Sequence, residues 1–290
     1  MAFRNIVINS RCKLSYSMNY LVVRKLDNEK RVLLDEIKMI IINSLEASIT
    51  TALISEASKR KIKIMFCNEK CNPECELISY QNNYYSYRKI KEQIGFDDEI
   101  KNYLWKRIIE EKINNQARNL KYMNLDKEYD MLLDYKQNIL DGDLSNREGH
   151  SAKVYFNALF GTEFSRKNDC DINKFLNYGY SIILSAISRV IKSLGYLTEL
   201  GIHHIGESNQ FNLSCDFIEP IRPLIDSLVI KNVVNDENFK GEMIGLLSTK
   251  VNYRNKEYFL DNAIELYVED MLGFMKTGEV ERISFIKYEL

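Results

Sequence analysis

A chain of 290 residues that is 45% hydrophobic and 28% charged can bury a sizeable core and has room for two domains, which excludes a disordered or low-complexity protein. Its net charge of −1 excludes a uniformly basic surface, and apolar runs such as Met39–Ile42 fall far short of a membrane span. No charged-then-apolar leader opens the sequence, so a cytoplasmic protein without a membrane partner is expected.

The small net charge hides an asymmetry. Residues 1–96 hold 16 Lys and Arg against 10 Asp and Glu, a net +6, and residues 97–290 hold 24 against 31, a net −7. A basic first part suits phosphates; an acidic second part suits metal cations or a solvated helical surface.

In chain order, residues 3–8, 20–24, 31–34 and 37–42 are short β-branched runs separated by polar turns, and they read as strands. Ser48 to Lys59 carries Ile49, Ala52, Leu53 and Ala57 at helical spacing, and Lys61–Cys67 alternates like a strand. The expectation is one helix on a small, mainly antiparallel sheet. Cys67, Cys71 and Cys75 offer three thiols without a fourth ligand, an incomplete set for structural zinc, so an irregular loop after the strand is expected. In a cytoplasmic protein the six cysteines are expected as reduced thiols.

Residues 76–91 bring Tyr80, Tyr84, Tyr85 and Tyr87 beside Arg88, Lys89 and Lys91. Rings stack on unstacked bases and cations neutralise phosphate, so Tyr85 and Arg88 are candidate DNA contacts. The same residues also suit a connector packed on a second domain.

From Asp98 the pattern is helical almost to the end, as only three prolines in the whole chain permit. Helices are expected over Glu99–Met123, Glu128–Leu140, the stretch from Ser145 to Gly161, Asp171–Leu194, Asn212–Val233 and Asp261–Met275. Val251–Tyr253 and Tyr258–Leu260 are expected to form a hairpin. The fold class is α+β: a β-rich domain over residues 1–78, a connector over 79–97 and an α-helical domain over 98–290.

Three segments offer chemistry. Glu148 follows Ser145 by three residues, which suits either a capping box or a carboxylate ligand at the end of an apolar stripe. His203 and His204 lie in Gly201-Ile-His-His-Ile-Gly206, with glycines at both ends of what reads as a tight loop. Asp216 and Glu219 are three apart and share a face if helical, while Pro220 and Pro223 argue against an ordinary solvated helix. Two or three carboxylates with one imidazole form a set for Mg²⁺ or Mn²⁺, which polarises a phosphodiester and activates a water or a 3′-hydroxyl.

The segments Asn146–Gly161, Leu176–Tyr180, Gly201–His204, Asn209–Leu213 and Asp216–Arg222 resemble, in this order and spacing, the integrase of CRISPR spacer acquisition. The likeness is to the variant from type II systems, those with a single-protein RNA-guided effector nuclease, and it extends over nearly the whole chain. The resemblance implies a β-rich N-terminal domain that forms a homodimer and a helical catalytic domain with metal ligands at Glu148, His204 and Glu219. Asp216 matches a further acidic position near the metal. His203 stands where relatives often have an aromatic residue, so the loop offers two imidazoles.

The implied reaction joins the 3′-hydroxyls of short foreign double-stranded DNA to repeat ends of the CRISPR array beside its leader, with Mg²⁺ or Mn²⁺. The implied assembly has two integrase dimers around one dimer of a small ferredoxin-like adaptation protein, with other adaptation proteins and the effector nuclease as further partners. Lys153 and Arg222 are candidate phosphate contacts by position, and Arg222 equally suits pairing with Glu219 as a helix neighbour. The alternatives are a metal-dependent nuclease without joining and a non-catalytic DNA-binding scaffold.

Overall fold

The computed structural model describes residues 4–69, 73–77, 86–232 and 245–289. The chain divides into two compact units, residues 1–84 and 85–290.

The first unit holds two four-stranded sheets. In one, β1 (Arg4–Ile8), β5 (Ile37–Ile42) and β7 (Lys63–Cys67) run parallel, and β8 (Pro73–Leu77) pairs antiparallel at the edge. In the other, β2 (Lys13–Ser17), β3 (Tyr20–Arg24) and β4 (Glu29–Leu33) form a meander, and the short β6 (Ser48–Ile49) runs parallel to β2. Ile8, Leu14, Leu21, Ile40 and Ile64 from the two sheets meet Leu53 and Ala57 of α1 (Thr51–Lys59) in one core.

This corrects the expected single, mainly antiparallel sheet. All six residues of β5 are buried, as a central parallel strand requires, and α1 supplies the crossover from β5 to β7. The polar alternation of Lys13–Ser17 concealed β2. The loop expected after Cys67 contains β8, with Cys75 opposite Phe66; Cys71 lies outside the described residues.

The second unit is helical: α2 (Ser86–Ile94), α3 (Asp98–Tyr122), α4 (Asp126–Gln137), α5 (Arg147–Phe160), α6 (Asp171–Ser193), α7 (Asn212–Ile218), α8 (Arg222–Asn232) and α9 (Leu260–Thr277). Asp97 starts α3 by accepting from the N–H groups of Glu99 and Ile100 at 2.8 and 3.1 Å. Helix α6 packs against α7, α8 and α9 and buries Ile182, Ile183, Ala186, Ile187 and Val190, the central position its wide apolar stripe implies. A hairpin of β9 (Lys250–Tyr253) and β10 (Lys256–Phe259) turns at Arg254 and Asn255, both at positive φ. Among the described residues, no helix is long and apolar enough to cross a membrane.

The single helix expected over Asn212–Val233 is two helices. Pro220 and Pro223 have no N–H to donate, so the ladder fails between Ile218 and Arg222 and leaves carbonyls that need other donors. That break positions the site.

Candidate active site

Helix α3 carries a row of buried polar side chains where a core helix would ordinarily be apolar: Lys112, Asn115, Gln116 and Asn119. Each such group needs a partner. Asn115 Nδ2 donates to the Pro220 carbonyl at 2.9 Å, and Asn119 Nδ2 donates to the Pro223 carbonyl at 2.8 Å. The two asparagines therefore fasten the α7–α8 break to α3. Tyr267 OH donates to the Phe217 carbonyl at 3.1 Å from the other side.

Glu219 sits at this break with its side chain 4% exposed. Arg222 Nε lies 3.0 Å from Glu219 Oε1 and Lys112 Nζ lies 2.5 Å from Glu219 Oε2. Lys112 also donates to Glu148 Oε1 at 2.6 Å. Glu148 and Glu219, 71 positions apart in sequence, thus converge on one ammonium. Burial works to raise the Glu219 carboxyl, but Arg222 and Lys112 hold it below the ordinary carboxylate range. Burial likewise opposes the charge on Lys112, and the Glu219 and Glu148 carboxylates overcome it.

Glu148 is free for this because other residues cap α5. Asn146, at φ 50°, accepts from the Gly149 N–H, and the Asp143 carboxylate accepts from the Arg147 and Glu148 N–H groups at 2.8 and 2.9 Å. Ser145 instead donates its hydroxyl to the Asn138 carbonyl. The capping-box reading of Ser145 and Glu148 does not hold.

The loop from Gly201 to Gly206 wraps around Asp216, which is fully buried on α7. Its Oδ2 accepts from the Ile202 N–H at 2.6 Å, and its Oδ1 accepts from the His204 N–H at 3.0 Å and meets His204 Nδ1 at 2.7 Å. Asp216 thereby spends both oxygens on the loop and fixes one imidazole. With Nδ1–H held by Asp216, Nε2 of His204 is the nitrogen left for a ligand. The hydrogen bond to Asp216 raises the His204 imidazole above its ordinary value against burial, and the Asp216, Glu219 and Glu148 charges add to it.

Trp105, two turns before Lys112 on α3, stacks on His203 at 4.2 Å and meets His204 edge-on at 5.7 Å. The two imidazoles so have distinct places: His204 on Asp216, His203 exposed on the indole. Asn212 Nδ2 closes the loop by donating to the Glu199 and Gly206 carbonyls, each at 3.0 Å.

A Cβ on Gly201 would meet the His204 carbonyl oxygen at 2.2 Å and Asp216 Oδ2 at 2.8 Å. Gly201→Ala is therefore expected to displace the loop, costing about 1–3 kcal/mol of stability as overpacking does and most of the activity. Thermal melting with an activity assay checks this; an active, equally stable variant contradicts it.

Behind Arg222 lies a buried polar cluster. Arg222 stacks on Tyr180 at 4.8 Å, Tyr180 OH donates to Asp226, and Tyr155 OH meets Asn119 Nδ2 at 2.7 Å. Burial pushes the Asp226 carboxyl up to about 6, against the hydrogen bonds from Tyr180 and Tyr155. The folded state thus keeps a proton that the unfolded chain loses near pH 4, so Asp226 costs stability as pH rises from about 4 to 6 and at all higher pH. Asp226→Asn is expected to gain about 2–3 kcal/mol relative to wild type between pH 4 and pH 7, as linkage requires. Paired melts across that range measure it, and a difference that does not vary with pH contradicts it.

Of the remaining candidates, Lys153 is exposed on α5, Arg88 is exposed on α2, and Tyr85 lies outside the described residues. Among the described residues, no three His, Cys, Asp or Glu side chains stand close enough together to hold a metal ion. Two of the expected ligands are instead arranged around the Lys112 ammonium, the position a cation takes between carboxylates. Sequence reasoning missed Trp105, Lys112, Asn115 and Asn119. For Asn115 and Asn119 the available signal was the loss of the apolar stripe after Ile113 in a helix otherwise suited to the core.

The family model of CRISPR associated protein Cas1 matches residues 6–250. A CRISPR-associated endonuclease Cas1 from Neisseria meningitidis serogroup C (strain 8013) is 34% identical over 230 residues, covering 79% of this chain and 76% of that protein. In fold, the chain is similar to a casposase bound to integration product, with a TM-score of 0.77 at 19% identity over 96% of this chain and 92% of that one. It is equally similar, with a TM-score of 0.77 at 16% identity, to a chain of a Cas6-RT-Cas1–Cas2 complex, covering 96% of this chain and 35% of that one. A sequence match running through both compact units places the chain in the Cas1 family of CRISPR-associated proteins.

Proposed function

We propose that this protein is a divalent-metal-dependent DNA integrase of CRISPR adaptation, of the type II variant, that joins the 3′-hydroxyls of short double-stranded DNA to repeat ends of a CRISPR array. The observation that carries the reading is the convergence of Glu148 and Glu219 on the Lys112 ammonium at 2.6 and 2.5 Å, with both carboxylate charges acting on the His204 imidazole that Asp216 fixes. Support also comes from the names of the relatives, an endonuclease and a casposase bound to integration product.

By residue type, two carboxylates and one imidazole are donors for a hard divalent ion. Glu148 and Glu219 would hold Mg²⁺ or Mn²⁺ as anionic oxygens, and His204 would complete the set through Nε2. When bound, the ion polarises the scissile phosphate and lowers the pKa of the attacking hydroxyl. Asp216 keeps His204 in the tautomer that presents Nε2, and Arg222 keeps Glu219 ionised despite its burial. A chain of this kind meets DNA phosphates through its cations and unstacked bases through its rings, and we assign Lys153 and Arg88 to the first role and Tyr85 to the second.

We assign homodimerisation to the β-rich residues 1–78, the connector to 79–97 and the chemistry to the helical residues 98–290. The partners are double-stranded DNA, as a fragment and as the leader-repeat target, and a small ferredoxin-like adaptation protein. Two integrase dimers flank one partner dimer, with further adaptation proteins and the effector nuclease as additional contacts. The likeness to a chain of a complex whose name includes Cas2 supports an adaptation-protein partner. The site of action is the cytoplasm.

The test is a supercoiled plasmid carrying a leader and repeat, a labelled short duplex with a 3′-hydroxyl, the partner protein and Mn²⁺ or Mg²⁺. Covalent joining of label to plasmid is expected. Nicks without joining would leave a simple metal-dependent nuclease, and binding without any chemistry would leave a scaffold.

A further inference from the structure

Lys112 occupies the middle of the carboxylate site, and what holds it there is the site itself. Its stem runs from the buried face of α3, and its ammonium lies within 2.6 Å of Glu148 Oε1 and 2.5 Å of Glu219 Oε2. Mg²⁺ binds carboxylate oxygens at about 2.0–2.1 Å, so an ion bridging the same two oxygens would claim the space Nζ fills. Occupancy by the ammonium and by a divalent ion is therefore mutually exclusive, by sterics and by like-charge repulsion alike.

The two cations on Glu219 differ in what else secures them. Arg222 is anchored by its stack on Tyr180 at 4.8 Å and reaches the far oxygen, Oε1. Lys112 carries a compact charge on a flexible four-carbon stem, and its ammonium is held by the two carboxylates. Glu148 and Glu219 with Lys112 and Arg222 sum to zero charge, which suits a buried site without metal. A divalent ion added to that set would leave it at +2.

Resting on the reading of Glu148, His204 and Glu219 as metal ligands, we propose that Lys112 is the resident counter-ion of the metal-free site, displaced by the incoming divalent cation, and so a positioning residue that sets the site's metal affinity. In the metal-free protein it keeps the two carboxylates from facing one another unpaired across a poorly solvated gap. Metal binding must then include the cost of withdrawing the ammonium from both. A coupling of this kind is worth about 1–3 kcal/mol, a 5- to 150-fold change in affinity.

The experiment measures Mn²⁺ binding to the DNA-free full-length protein by electron paramagnetic resonance of the free ion, for wild type and Lys112→Met, with melting of each protein with and without Mn²⁺. Methionine keeps most of the stem volume and removes the charge. The expected result is Mn²⁺ binding at least about ten-fold tighter in Lys112→Met, at the lower end of the usual coupling range. The variant should also melt lower than wild type without metal and gain more from Mn²⁺.

If wild type binds Mn²⁺ and Lys112→Met binds it equally or more weakly, the proposal is overturned while the metal site stands; a lysine kept only to contact DNA phosphate gives the equal-affinity result. If neither protein binds Mn²⁺, the metal-site reading fails and takes the proposal with it. Should Lys112→Met not fold, wild type decides the matter through amine acetylation read by peptide mass. Lys112 is expected to be protected without Mn²⁺ and modified with it, and equal modification in both states overturns the proposal.

Discussion

Glu219→Ala is expected to abolish DNA joining and to lower the stability of the metal-free protein by about 3–5 kcal/mol, the cost of stripping one partner from a buried ion pair. The activity loss follows from removing one of the two oxygen donors that converge on the cation. The stability loss has a separate cause: Lys112, itself buried, keeps Glu148, and Arg222 keeps its stack on Tyr180 but loses the carboxylate at 3.0 Å. Glu219→Gln separates the two effects, because an amide fills the same space and accepts a hydrogen bond while carrying no charge. Its joining activity should stay lost while part of the stability returns. A joining assay and denaturant melts of both variants check this, and a Glu219→Ala protein with wild-type joining would remove Glu219 from the chemistry.

Trp105→Ala carries the other large expected effect. The indole is 1% exposed, and truncating such a side chain leaves a cavity worth about 3–5 kcal/mol. It also supports both histidines, flat against His203 and edge-on to His204. Activity should therefore fall further than a cavity elsewhere in the core would cause. Trp105→Phe, which keeps a ring, should recover most of the stability and part of the activity. Comparison with a cavity of similar depth at Ile183, fully buried on α6, supplies the reference, and equal activity losses at the two positions would contradict a positioning role for Trp105.

The difference between Trp105 and His204 also marks what the sequence could reveal. The loop that holds His204 was legible because glycines at both of its ends are a local signal. Trp105 acts on residues 98 and 99 positions away and Lys112 on residues 36 and 107 positions away, and nothing near them in sequence announces it. The long helices α6 and α9 were legible from apolar spacing, since each buries a continuous stripe, and α3 was legible from its first half, where Leu104, Ile108, Ile109 and Ile113 are buried.

The break after Ile218 was half legible. Pro220 and Pro223 signalled strain in a helix, but where the orphaned carbonyls find donors depends on Asn115 and Asn119 of another helix. The sheets were misread for a related reason. Short β-branched runs mark strands, whereas parallel pairing of β1, β5 and β7 is set by crossovers and by burial on both faces of β5. Glu148 had two local explanations in sequence, and the stretch by itself favoured the capping box. The cap supplied by Asn146 and Asp143 is what frees it for the site.

The most direct test of the central claim, that Glu148 and His204 belong to one DNA-joining centre, compares wild type, Glu148→Ala and His204→Ala in the plasmid-joining assay, with folding of each followed by circular dichroism. The predicted result is covalent joining by wild type with Mn²⁺ or Mg²⁺ and none by either folded variant. Joining that persisted in folded Glu148→Ala would contradict the account.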